Sequence, residues 1–118
     1  MELKGSLSTD LRKNEADRIM KEHPDKIPLI CEKDPNCKLE DLSKHKYLIN
    51  KTLEVGPFAN NIRTKLKIPQ EQALFLVAQK NGKYHALTSG DTFEQVYKKY
   101  KAEDKFIHIL YTSEVIWG

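Results

Sequence analysis

The run Phe106-Ile107-His108-Ile109-Leu110-Tyr111 limits the fold most, because it is apolar at odd and even positions alike. A strand of this kind needs cover on both faces, so it reads as the central strand of a sheet. The neighbours come from the rest of the chain. Asn81-Gly82 separates Ala73-Leu74-Phe75-Leu76-Val77 from Tyr84-His85-Ala86-Leu87. Both turn residues accept positive φ, which predicts a two-residue hairpin.

Lys26-Ile27-Pro28-Leu29-Ile30-Cys31-Glu32 reads as another strand, with Pro28 placing it near an edge or a bulge. Lys46-Tyr47-Leu48-Ile49 is a further strand, reached through a turn at Asp34-Pro35-Asn36 and a polar loop to Lys44. Three helices are expected. The first spans Ser8 to His23, with Ser8 or Thr9 as cap, Pro24 as its stop, and a thin apolar face of Leu11, Ala16, Ile19 and Met20. The second follows Val55-Gly56-Pro57, with Phe58, Ile62 and Leu66 on one stripe. The third starts near Asp91 or Thr92, where Thr92-x-x-Gln95 spells a capping box.

This order predicts an α+β fold of ubiquitin-like β-grasp type: a mixed four-stranded sheet gripping a helix, preceded by an N-terminal helical extension. The expected organisation is an extension over residues 1–25, a β-grasp domain over 26–112 and a conjugation tail over 113–118. A chain of 118 residues suits one core and buries roughly two thirds of its unfolded surface. Its 20 basic and 17 acidic residues are mixed along the chain, so no basic tail argues for nucleic acid. Met1-Glu2-Leu3-Lys4-Gly5 opens no apolar segment, and the chain reads as cytoplasmic. Cys31 and Cys37 fit neither a zinc nor a C-x-x-C pattern and read as reduced, partly buried thiols; no metal or cofactor is implied. His23, His45, His85 and His108 read as surface or satisfied residues, and no nucleophile signature points to an enzyme.

Several landmarks stand in a specific order: His23-Pro24-Asp25-Lys26-Ile27-Pro28, Cys31-Glu32-Lys33, Lys46-Tyr47-Leu48-Ile49, Val55-Gly56-Pro57-Phe58 with Ile62-Arg63, Ala73-Leu74-Phe75, Tyr100 with Glu103-Asp104, and Trp117-Gly118. In these the sequence resembles, from about Arg12 onward, the autophagy ubiquitin-like modifiers, the family of the GABA-receptor-associated protein and microtubule-associated light chain three. The resemblance implies that Gly118 is passed as a thioester between an activating and a conjugating enzyme. It is then joined to phosphatidylethanolamine on autophagosomal membranes. A glycine carbonyl, with no Cβ beside it, is open to thiol and amine attack. The modifier would supply the electrophile rather than the catalyst, and a processing and deconjugating cysteine protease is an implied partner.

A second implied activity is capture of aromatic-x-x-aliphatic peptides of cargo receptors and adaptors by strand addition along Lys46-Tyr47-Leu48-Ile49. By the resemblance, the aromatic pocket maps to Glu15, Asp17, Ile19, Pro28, Lys46, Leu48 and Phe106. The aliphatic pocket maps to Tyr47, Ile49, Leu53, Phe58, Asn61, Ile62 and Lys65. Read without the resemblance, the apolar members are ordinary core and sheet packing. Asn61 stands where an aliphatic residue is usual and Asn50 where proline is usual, which implies a more polar or shallower second pocket. Two other readings remain: a sister modifier, also ending in Trp-Gly, joined to a lysine of another protein, and an adaptor that never conjugates.

Overall fold

The computed structural model describes residues 6–113. Its elements are α1 (Ser6–Glu22), β1 (Lys26–Lys33), β2 (Lys46–Asn50), α2 (Val55–Leu66), β3 (Phe75–Lys80), β4 (Lys83–Ala86), α3 (Phe93–Tyr100) and β5 (Ile107–Thr112). The strands form one sheet in the order β2-β1-β5-β3-β4, with β1 and β5 parallel and the other neighbours antiparallel. The doubly apolar β5 is central, as its sequence demands. The sheet has five strands rather than four, because the hairpin returns Lys83–Ala86 as a short outer strand. Asn81 and Gly82 carry φ of 54° and 73°, the pair of positive values a tight turn between twisted strands requires.

Residue parity sorts the two faces. Odd positions of β1 and β5, among them Ile27, Leu29, Ile107, Ile109 and Tyr111, join Val55, Phe58 and Ile62 of α2 and Phe93 and Val96 of α3 in the main core. Even positions face α1, where Ala16, Ile30 and Phe106 form a smaller cluster. The Thr92–Gln95 capping box opens α3 as expected.

Other expectations change. α1 begins at Ser6, so Ser8 and Thr9 lie inside the helix rather than at its cap. Leu11 is 54% exposed, because it stands about 140° around the helix from the buried Ala16. Pro28 does not put β1 at an edge. β1 pairs on both sides, and the proline precedes Leu29, where pairing to β5 begins. Both cysteines are fully rather than partly buried, and burial, with Glu32 nearby, pushes the Cys31 thiol up to about 12.

Polar contacts fasten α1 to the sheet. Arg12 Nε donates to Asp104 Oδ2 at 2.7 Å, His108 Nε2 lies 2.8 Å from the same oxygen, and the Phe106 amide donates to Oδ1 at 3.0 Å. Burial alone would raise the Asp104 carboxyl, but the His108 and Arg12 hydrogen bonds outweigh it and bring the pKa to about 2.

Candidate functional site

β2 is an outer strand, and the phase of its pairing decides what its open side offers. The Cys31 amide donates to the His45 carbonyl and the Lys51 amide to the Asp25 carbonyl, at the two ends of the β1–β2 ladder. Alternation between those bonds makes Leu29↔Tyr47 and Ile27↔Ile49 the bonded pairs. The amides and carbonyls of Lys46 and Leu48 therefore turn away from β1, toward the open edge. Side chains alternate as well, so Lys46 and Leu48 fall on the α1 face and Tyr47 and Ile49 on the α2 face. The two proposed pockets straddle one strand.

On the α1 face, Pro28 and Phe106 are buried, Ile19 is half-buried, and Leu48 is left 46% exposed. Lys46 Nζ donates to Glu15 Oε1 at 2.8 Å, which ties β2 to α1 beside Leu48. Glu15 and Ile19 are one turn apart on the flank of α1 that faces β2. Asp17 is not brought to this group. It stands about 200° around the helix from Glu15, and its carboxylate takes Lys105 Nζ at 2.7 Å.

On the α2 face, Ile49, Phe58 and Ile62 are core residues, 7%, 3% and 2% exposed. What they leave accessible is framed by half-buried Tyr47 and Leu53 and by exposed Asn61 and Lys65. Phe58 holds Tyr47 edge to face at 5.8 Å between ring centroids. The ammonium groups of Lys44 and Lys65 come within 5.0 and 4.9 Å of the Tyr47 ring centre. Asn61 and Lys65 share the flank of α2 turned toward Tyr47, so the rim on this side is polar and cationic. Asn50 takes a hydrogen bond from Lys26 Nζ at 2.8 Å.

The pocket residues inferred from the sequence omit Ile30, which with Ala16 floors the α1 side, while Lys44, read with His45, Lys46 and Lys51 as a basic edge or a solvated face, comes to flank Tyr47. The shared parity of Pro28 and Ile30 was the available signal for Ile30. A cleft of about 150 Å³ between α2 and the β3–β4 hairpin, lined by residues including Val55, Leu74 and Leu87, was also not anticipated. Gly118 lies outside the described residues; the chain leaves the sheet at Thr112, which pairs with Phe75. Among the described residues no group of His, Cys, Asp and Glu could hold a metal ion, and no helix is long and apolar enough to cross a membrane.

A mixed sheet gripping α2, with a helix laid across its far face, defines a ubiquitin-like β-grasp protein with an N-terminal helix. Residues 11–118 match the family described as autophagy protein Atg8, ubiquitin like, and the chain belongs to that family of ubiquitin-like modifiers. The crystal structure of Trypanosoma brucei ATG8 is similar, at 32% identity over the whole of both chains and a TM-score of 0.79.

Proposed function

We propose that this chain is conjugated through Gly118 to phosphatidylethanolamine on autophagosomal membranes, and that its β2 edge captures aromatic-x-x-aliphatic segments of cargo receptors and adaptors. The observation that carries the second half is the open edge itself. Lys46 and Leu48 present backbone groups outward, Leu48 stands exposed on one side, and Tyr47 with Ile49 lies on the other. An incoming strand gains main-chain hydrogen bonds from the edge and selectivity from the two sides. Lys44, Lys46 and Lys65 make that edge basic, which suits peptides with acidic flanks. The first half rests on family membership and on the glycine at position 118.

In this reading the activating and conjugating enzymes and a cysteine protease act on the tail, and the protein moves between the cytoplasm and the membrane that its lipid marks. A diacyl anchor supplies the two chains that stable attachment needs. Reconstitution with those enzymes and phosphatidylethanolamine liposomes tests it. The expected result is a lipid adduct on Gly118, absent when Gly118 is deleted, with peptide binding retained by the deletion. An isopeptide to a protein lysine, or lipid attachment that survives the deletion, overturns it.

A further inference from the structure

The β3–β4 hairpin meets the last turn of α3 at one end of the sheet. Lys80 Nζ donates to the Lys99 carbonyl at 3.3 Å, and His85 stacks on Tyr100 with ring centroids 4.7 Å apart. These contacts gather Lys80 and Lys83, which flank the turn, with Lys98, Lys99 and Lys101 at the end of the helix. None of these lysines forms an ion pair among the described residues. The acidic residue of α3, Glu94, sits in its first turn, at the opposite end. Tyr84 stands next to Lys83 and is 37% exposed.

The helix dipole accounts for part of this arrangement, since cations favour a helix C-terminus. It does not account for Lys83, which belongs to β4, nor for so many like charges placed where they repel one another. Such a field is recovered against an anionic partner.

We propose that this end of the molecule is a docking surface for an anionic lipid bilayer. The cleft beside Val55 and Leu87 and the one lined by Thr9, Asp10, Lys13 and Glu103 include none of these lysines, so the charge is not part of either cleft. A hairpin tip and a helix end instead present a cluster of point charges. Lysine suits this role: its strongly hydrated ammonium is drawn to diffuse headgroup charge without the fixed fork that selects single carboxylates or phosphates. Tyr84 adds an amphipathic ring of the kind that settles at a membrane interface. The surface is separate from the β2 edge, and it lies at the far end of β3 from Phe75, beside which the chain leaves β5.

The test uses the full, unlipidated chain, so it does not depend on the tail chemistry proposed above. Flotation is measured with phosphatidylcholine vesicles, with and without phosphatidylserine, at low and high salt. Binding is expected only to the phosphatidylserine vesicles and only at low salt. Lys98→Glu with Lys99→Glu should weaken it about tenfold or more, while Lys38→Glu with Lys67→Glu, an equal change of net charge elsewhere, should stay within about twofold. Thermal melts confirm that both variants are folded. Equal loss in the two double variants, no flotation with phosphatidylserine vesicles, or binding to polyglutamate with no vesicle binding would each overturn the proposal.

Discussion

Arg12 of α1 and Asp104, 92 positions further along the chain, meet at 2.7 Å between Nε and Oδ2, and the carboxylate is 2% exposed. Such a pair is costly to break from one side, because the Arg12 charge left behind is only partly open to water. Asp104→Asn should lower stability at neutral pH by about 2 kcal/mol, the order expected for a carboxyl held at about 2 instead of 3.8. A depressed carboxyl contributes stability that is present above its unfolded pKa and lost as pH falls through the folded one. The gap between wild type and variant should therefore narrow from about pH 4 downward and close near pH 2, read by urea unfolding across that range.

Leu48 and Phe58 separate binding from folding. Leu48 is 46% exposed, so Leu48→Ala should cost well under about 1 kcal/mol in stability while weakening an aromatic-x-x-aliphatic peptide about tenfold in calorimetry. Phe58 is 3% exposed and packs edge to face on both Tyr47 and Phe93, so Phe58→Ala should cost about 3–5 kcal/mol before any binding is measured.

The phase of β2 is checkable by hydrogen exchange. In the free protein the Tyr47 and Ile49 amides should be protected and the Leu48 amide open. Peptide should slow exchange at Leu48 with little change at its neighbours. The reverse pattern would place the strand one residue out of register.

Gly82, at φ 73° with open space where a Cβ would stand, is required for its backbone rather than for lack of room. Gly82→Ala should cost about 1–2 kcal/mol, measured by thermal unfolding, because a side chain disfavours that conformation wherever it points.

Burial holds the Cys31 thiol at about 12 against an ordinary 9, so its thiolate fraction is reduced about a thousandfold. In a Cys37→Ser background, Cys31 should label with a disulfide reagent about a thousandfold more slowly in the native chain than in urea.

What the sequence made legible was local. Asn81-Gly82, the Thr92–Gln95 box and the doubly apolar β5 each encode their structure within a few residues, and the structure carries all three. The expectations that shifted depend on distance or on angle around a helix. Leu11 has suitable spacing for the inward stripe of α1 until Ala16 fixes its centre, and Asp17, assigned to the aromatic pocket by the resemblance alone, turns to Lys105 instead. The Arg12–Asp104–His108 contact joins segments that no local rule connects. Within the candidate site, alternation along β2 was readable, whereas the approach of Lys44 and Lys65 to Tyr47 required knowing where α2 and the preceding loop lie.

Among the described residues the sheet ends in two unpaired margins, and they invite different company. β2 turns the backbone groups of Lys46 and Leu48 outward with Leu48 exposed beside them, whereas β4 is only four residues long. Copies brought together would find poor purchase in zipping margin to margin, since both borders begin at a lysine and the β4 border is short. Density of the protein can then rise without the sheets fusing into a fibre, which leaves the β2 border open for the peptide capture proposed above.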